Sequence, residues 1–140
     1  MTAPLPSARR TDGPQQRILV VEDDPLVRQA LALNLEDFGY AVAEAASAGA
    51  AMALMAQEGQ EIAAAVIDMG LPDGSGDDLL AALRASRPDL PAIIASGSDI
   101  HEVARRFEHT SGVGTVGKPY RIEELVPLLH GLGVDPVLPH

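Results

Sequence analysis

The sequence has no cysteine and no tryptophan, and aromatic residues make up only 3% of its 140 positions. The lack of cysteine excludes disulfides, thiolate catalysis and cysteine-ligated zinc, and it is compatible with a reducing cytoplasm. No apolar run approaches the ~20 residues of a membrane-spanning helix. The amino-terminal segment has arginines but no apolar stretch after them, so it does not have the pattern of a secretory signal. We therefore expect a cytoplasmic protein.

Basic residues are also scarce, since 10 Lys and Arg face 20 Asp and Glu, for a formal net charge of −10. A chain this acidic repels nucleic acid and anionic membranes unless basic side chains cluster locally. The arginines are scattered, and only Arg9-Arg10 and Arg105-Arg106 are adjacent. We therefore expect no nucleic acid and no membrane among the partners.

Length and composition indicate one globular domain. Apolar residues form 46% of the chain, enough for a sizeable core at this length. Residues 1–16 are rich in Pro, Ser, Gln and Thr, which predicts a flexible tail. We assign the folded domain to residues 17–132 and a short carboxyl-terminal tail, with no output domain, to residues 133–140.

Apolar periodicity divides the domain into five strands that alternate with five helices. The strands are predicted at residues 18–21, 40–45, 62–67, 91–96 and 112–117, and the helices at 25–38, 48–57, 76–87, 99–108 and 121–132. This alternation predicts an α/β fold with a doubly wound, five-stranded parallel sheet and helices on both faces.

Polar side chains end four of the five predicted strands. They are Glu22, Asp23 and Asp24 after the first strand, Asp68 at the end of the third, Ser96 at the end of the fourth and Lys118 after the fifth. Because parallel α/β sheets bind ligands at the carboxyl ends of their strands, we expect these side chains to share one edge.

The chemistry of this set suits phosphoryl transfer. Neighbouring carboxylates repel each other unless a cation lies among them, and Mg²⁺ binds through one or two carboxylates while keeping waters that a phosphate can replace. A lysine and a hydroxyl would neutralise phosphoryl oxygens, which is most of what such a reaction requires. Asp68, alone on its strand, is the candidate nucleophile, since carboxylates can accept phosphoryl groups.

Four separated segments, ILVVEDD, VIDMGLPDGSG, PAIIASG and GKPY, resemble the response-regulator receiver domain of two-component signalling (CheY-like) over about residues 17–132. The resemblance implies the flavodoxin-like strand order 2-1-3-4-5. It also implies a single-domain, stand-alone switch and not a turnover enzyme. The expected phosphoryl donor is a histidine kinase or histidine phosphotransfer protein. The expected downstream partner binds the surface of the fourth helix, fifth strand and fifth helix.

The resemblance assigns roles to the acidic residues. Asp68 is the expected phosphoacceptor. Together with Glu22, Asp23 and the backbone carbonyl of Gly70 it would hold Mg²⁺, with Asp23 binding more directly and Glu22 partly through water. Gly70 would also influence dephosphorylation, because it lies two residues after Asp68.

The resemblance also assigns roles at the fourth and fifth strands. Ser96 takes the switch position, Lys118 would contact the phosphoryl group, and Ser98 would tune dephosphorylation. The peptide bond before Pro119 is expected to be cis, which is rare even before proline. The position of the family's switch aromatic is occupied by Thr115.

Three departures from the family pattern, Thr115, Gly117 and Pro127, concern the output surface and not the phosphorylation chemistry. Thr115 is small and stiff at χ1, so it cannot act as the switch aromatic. We therefore expect the segment Gly97–Asp99 and the start of the fourth helix to shift when Ser96 engages a phosphoryl group.

Other interpretations compete with some of these assignments. Asp24 is better explained as a helix cap than as a ligand, and the segment Asp73–Asp78 lacks the ligand pattern of a calcium loop. A haloacid-dehalogenase-type phosphatase would need an aspartate where Gly70 stands. A domain that had lost phosphorylation should lack an acidic residue or Lys118. The sequence does not separate a signal carrier from a phosphate sink or shuttle.

Overall fold

The computed structural model describes residues 15–136. The predicted amino-terminal tail therefore lies outside the described residues except for Gln15 and Gln16, as do residues 137–140 of the predicted carboxyl-terminal tail. The strands of the main sheet are β1 (Arg17–Val21), β2 (Ala41–Ala45), β3 (Ile62–Asp68), β4 (Ala92–Ser96) and β5 (Val113–Gly117). The helices are α1 (Pro25–Asp37), α2 (Ala48–Glu58), α3 (Gly76–Ser86), α4 (Ile100–Phe107) and α5 (Ile122–Gly131), and a short hairpin pairs Gly70–Leu71 with Gly74–Ser75.

The five strands form a parallel sheet in the order β2-β1-β3-β4-β5. This confirms the predicted α/β fold and its strand order. Val21 pairs with Ile67, and Asp68 pairs with Ala95. The ends of β1, β3 and β4 are therefore in register at one edge of the sheet.

The sheet is buried on both faces, as expected for parallel strands that are apolar throughout. Successive residues alternate between two core layers, so that Leu19 faces one layer and Val20 the other. The first layer includes Met55, Leu83 and Val103 from α2, α3 and α4. The second layer is formed with α1 and α5, and includes Leu31, Leu35, Leu125 and Leu129.

Local signals explain the bounds of the first helix. Asp24 precedes α1, and its side chain accepts hydrogen bonds from the N–H groups of Leu26 and Val27. Pro25 occupies the first turn, where its missing N–H costs nothing. Gly39 follows α1 with a φ of 100°, a left-handed conformation that favours glycine.

The segment after α5 packs against the second core layer. Val134 is only 4% exposed, and the Tyr40 hydroxyl donates a hydrogen bond of 2.9 Å to its carbonyl oxygen. The start of the predicted carboxyl-terminal tail is thus packed against the domain. In the part of the chain from residue 15 to 136, no helix combines the length and apolar character needed to cross a bilayer.

Candidate functional site

Three carboxylates meet at the carboxyl edge of the sheet. Oxygen atoms of Glu22, Asp23 and Asp68 all lie within 4.8 Å of one another, and no other group of three or more potential metal-binding side chains occurs in residues 15–136. Glu22 is 7% exposed and the Asp68 side chain 12%, whereas Asp23 is exposed. Two carboxylates are therefore held in a largely dehydrated position beside one that faces solvent.

Lys118, the one lysine of the sequence, joins these carboxylates. Its Nζ lies 3.0 Å from Glu22 Oε1 and 3.3 Å from Asp68 Oδ2. Burial alone would lower the pKa of the ammonium, but the hydrogen bond to Glu22 and the charges of Asp68 and Glu22 outweigh it and raise the pKa above its ordinary value of 10.5. Lys118 therefore carries a positive charge at neutral pH.

Backbone contacts hold Lys118 and Asp68 in place. The Lys118 N–H donates to the Ser96 carbonyl at 2.7 Å, and the Lys118–Pro119 peptide bond is cis. The Met69 N–H donates to the Ala95 carbonyl at 2.9 Å, which extends the pairing of β3 with β4 beyond Asp68. The side chains of the site thus project from the ends of hydrogen-bonded strands.

The donor set fits an oxygen-preferring divalent cation. Glu22 Oε1 faces Lys118, and Oε2 accepts a 3.1 Å hydrogen bond from the Asp24 N–H, so both of its oxygens have partners. Asp68 also has partners, since its Oδ2 lies 3.3 Å from Lys118 Nζ and its Oδ1 accepts a 3.4 Å hydrogen bond from the Gly70 N–H. The exposed carboxylate of Asp23 is therefore the most open of the three to direct coordination. Gly70, exposed in the hairpin that follows β3, is two residues after Asp68 along the chain.

Ser96 and the loop after it line the same open cavity as Asp68 and Lys118. Ser96 is 2% exposed, and its hydroxyl donates a hydrogen bond to Asp99 Oδ1. Gly70 and Ser98, the two expected dephosphorylation-tuning positions, also line this cavity. A Cβ on Gly70 would meet no atom within 4 Å, so a larger side chain has room there.

Other predicted residues lie apart from this edge or have structural partners. Thr115 is half-buried on β5 and pairs with Ile94. Asp73 accepts hydrogen bonds from the N–H groups of Ala48 and Gly49 at 2.8 and 2.9 Å. Asp73 therefore fixes the β3–α3 loop to the start of α2 and is not free to bind calcium.

Some contacts of the site were not predicted from the sequence. A Cβ on Gly76 would lie 2.7 Å from the Asp68 carbonyl oxygen and 2.9 Å from the Met69 Cα, so only glycine fits beneath the acceptor. Burial, together with the negative charges of Glu22 and Asp68, raises the pKa of the Tyr120 phenol to about 12. Tyr120 follows the GKP segment, but nothing in its local sequence signals this proximity.

This arrangement of a strand-end aspartate, two further carboxylates and a lysine agrees with a family-level comparison. The family described as the response regulator receiver domain matches residues 18–130. The chain belongs to this family. Receiver domains accept phosphoryl groups in two-component signalling, and they interact with histidine kinases and phosphotransfer proteins.

Individual relatives and structures agree with this family. The chain is 32% identical to the probable transcriptional regulatory protein TcrX of Mycobacterium tuberculosis over 89% of this chain and 52% of that protein. It is 34% identical to the sensor kinase CckA of Brucella abortus over 77% of this chain and 11% of that one. A CheY-like receiver domain protein from Methanospirillum hungatei has a TM-score of 0.75 and 30% identity, covering 86% of this chain and 95% of its own. The chain thus spans about half of the first curated relative and a small part of the second.

Proposed function

We propose that this chain accepts a phosphoryl group on Asp68 from a phosphohistidine of a histidine kinase or phosphotransfer protein, in a Mg²⁺-dependent reaction, and signals by phosphorylation-dependent protein binding. The observation that carries this proposal is the contact of Lys118 Nζ with both Glu22 and Asp68 at the carboxyl edge of the sheet. Stand-alone action stays a prediction, because curated relatives extend beyond the segment that they share with this chain.

In the proposed reaction a carboxylate oxygen of Asp68 attacks the phosphorus, and the bond to the donor's imidazole nitrogen breaks. The Lys118 ammonium neutralises one phosphoryl oxygen, and the Ser96 hydroxyl donates to another. Asp23, Asp68 and the Gly70 carbonyl would hold Mg²⁺, with Glu22 contributing partly through water, and the ion would supply positive charge near the phosphoryl oxygens.

The donor needs a docking surface beside Asp68, and an apolar groove lies there. Val27, Ala30 and Leu31 of α1 line one side of it, and the segment 119–123 lines the other, with Lys118 shared between groove and site. Leu26 on the same helix is 78% exposed. We propose that the phosphohistidine-bearing part of the donor binds this groove, because Lys118, which lines the groove, lies 3.3 Å from Asp68 and the donor's histidine would then lie close to the acceptor.

The proposed downstream partner binds the surface of α4, β5 and α5. In support, Ile100 at the start of α4 packs on Gly117 of β5, since a Cβ added to Gly117 would lie 3.5 Å from the Ile100 side chain. Gly117 directly precedes Lys118, so this surface adjoins the acceptor site. A role as a phosphate sink or shuttle uses the same acceptor chemistry, and no contact among the described residues favours it.

Turnover catalysis is not part of the proposal. Gly70 stands where a dehalogenase-type phosphatase needs an acidic side chain, so we expect phosphorylation and slow to intermediate self-dephosphorylation only. The test is incubation with acetyl phosphate and Mg²⁺ followed by intact mass measurement. One phosphoryl adduct is expected in the wild type and in Asp89→Asn, an exposed control, and none in Asp68→Asn. An adduct that persists in Asp68→Asn would refute the assignment.

The metal requirement is tested by calorimetric titration with Mg²⁺. Asp23→Asn should weaken Mg²⁺ binding by about tenfold or more, since loss of a residue that only hydrogen-bonds to a metal ligand already lowers metal affinity by that factor. Asp24→Asn is the matched control, because it removes a neighbouring charge while asparagine still caps α1. Equal affinities of the wild type and Asp23→Asn would contradict the proposed site.

A further inference from the structure

The start of α4 differs from the starts of α1, α2 and α3. Asp24, Ser47 and Ser75 each accept a hydrogen bond through their side chains from an N–H group in the first turn of the helix that follows. Asp99 occupies the equivalent place before α4, yet its side chain makes no such bond. Aspartate is among the best residues for this position, so the missing cap has a specific cause.

The cause is a competing partner. Asp99 Oδ1 accepts the hydrogen bond of the buried Ser96 hydroxyl. The backbone at Asp99, with φ −94° and ψ 19°, also departs from the extended conformation found at Asp24, Ser47 and Ser75. Asp99 is therefore turned toward Ser96 and away from the N–H groups in the first turn of α4, which have no partner within the helix.

We propose that Asp99 is a positioning residue with two alternative sets of partners, an inference that rests on the proposed function. Without phosphorylation it holds the Ser96 hydroxyl. A serine hydroxyl carries a single proton, so Ser96 leaves Asp99 when it donates to a phosphoryl oxygen on Asp68. The freed carboxylate then caps α4 by accepting from the N–H of His101 or Glu102.

The surroundings allow this exchange. Gly97, Ser98 and Asp99 are exposed, and a Cβ on Gly97 would meet no atom within 4 Å, so the loop has room to change its conformation. The two arrangements exclude each other because they need different backbone conformations at Asp99: the capping side chains of Asp24, Ser47 and Ser75 project from extended backbone, and Asp99 does not. Phosphorylation shifts the equilibrium between the two arrangements of Asp99, because the Ser96 hydroxyl donates to Asp99 in one and to the phosphoryl group in the other.

The change of partners at Asp99 would also affect the proposed output surface of α4, β5 and α5. The first helical residue, Ile100, packs over Gly117 of β5. Capping of α4 by Asp99 would reposition Ile100 and so alter the β5 surface, where Thr115 is too small to act as a switch aromatic. The Asp99 exchange thus performs, at the start of α4, the coupling that an aromatic side chain on β5 would otherwise provide.

The test is amide hydrogen exchange at His101 and Glu102, measured by NMR with and without beryllofluoride and Mg²⁺. In the wild type, beryllofluoride should slow at least one of these amides about fivefold or more, the effect of one added hydrogen bond. Ser96→Ala frees Asp99 permanently, so the same amide should be slow without beryllofluoride. Asp99→Ala should leave both amides fast in both conditions, and Glu108→Gln, at the other end of α4, should behave as the wild type.

The outcomes separate the two proposals. Shifts of the Met69 and Gly70 amides report binding of beryllofluoride at the acceptor site. If they shift while His101 and Glu102 stay fast, the Asp99 proposal is wrong and the proposed function stands. If they do not shift, the proposed function is wrong. Fast exchange in ligand-free Ser96→Ala would overturn the Asp99 proposal by itself, because that variant needs no ligand to free the carboxylate.

Discussion

The acceptor edge and the switch loop, two neighbouring parts of one cavity, are built in opposite ways. The acceptor edge, formed by Glu22, Asp23, Asp68 and Lys118, projects from strand ends, and its buried carboxylates contact one lysine. The switch loop, Gly97–Asp99, is exposed and precedes a helix without a side-chain cap. Side chains held by strand ends and ion pairs keep fixed positions for a reaction, whereas an exposed loop before an uncapped helix has room to change its conformation.

The largest expected effect is at the acceptor edge. Lys118→Ala removes the charge that faces both Glu22 and Asp68, so phosphorylation by acetyl phosphate should slow about 100-fold, as when a fixed electrostatic contact to a reacting group is removed. The rate is followed by intact mass over time. Arg121→Ala, an exposed cation just beyond the site, is the control and should retain the rate. A wild-type rate in Lys118→Ala would contradict this difference between the two parts, because the Lys118 contacts of the acceptor edge would then not contribute to phosphorylation.

Substitutions at two glycines test how tightly the acceptor edge and the switch loop are packed. Gly76→Ala places a Cβ 2.7 Å from the Asp68 carbonyl oxygen, whereas a Cβ on Gly97 meets nothing within 4 Å. Gly76→Ala should therefore lower the free energy of unfolding by about 1–3 kcal/mol, and Gly97→Ala should change it by less than about 0.5 kcal/mol. Urea denaturation measures both. Equal losses would show that the switch loop is packed as tightly as the acceptor edge.

Water access to Asp68 gives a smaller effect. Gly70 is exposed and has room for a side chain, but it offers no group that could orient an attacking water. Gly70→Asn adds an amide there and should accelerate phosphate release severalfold, which is measured as decay of the phosphorylated mass after removal of the donor. Gly70→Ala is the control that adds bulk without an amide. An unchanged or slower release in Gly70→Asn would contradict this account.

The smallest effect is the pH dependence contributed by Asp73, which anchors the loop behind the acceptor edge. The hydrogen bonds from Gly49 and Ala48 hold the pKa of Asp73 below its ordinary value of 3.8. The folded state therefore gains stability from Asp73 above that value and loses it as the pH falls through the lowered pKa. Asp73→Asn should flatten the acid limb of the unfolding free energy against pH, and Asp89→Asn should not. Identical curves for the wild type and Asp73→Asn would contradict the anchoring.

The sequence predicted the fold and the composition of the edge because both depend on local patterns. Apolar runs of strand length that end in Asp68, Ser96 or Lys118 set the strands and place those side chains at one edge, whatever the details of packing. Each helix end differs from the predicted one by at most one residue, as with α4, which begins at Ile100 and not at Asp99.

The contacts that the sequence did not predict are of two kinds. Some join segments that are distant along the chain, and in others two possible partners compete for one side chain. The sequence predicts a flexible GSD segment with Asp99 at the start of the fourth helix, and only the structure reveals that the Asp99 side chain binds Ser96. The sequence indicates only that Gly76 begins a helix, and the structure adds that a Cβ at this position would lie 2.7 Å from the Asp68 carbonyl oxygen. Asp73 likewise has no local signal for its bond to α2. Such contacts depend on tertiary packing, which overrides local preference.

The central claim, that Asp68 is the phosphoacceptor, is tested most directly by locating the phosphoryl group. Borohydride reduces an aspartyl phosphate to homoserine, which peptide mass spectrometry then places in the sequence. After incubation with acetyl phosphate and Mg²⁺, we expect homoserine at position 68 and at no other aspartate. Homoserine at Asp23 or Asp24 of the wild-type protein, with position 68 unmodified, would contradict it.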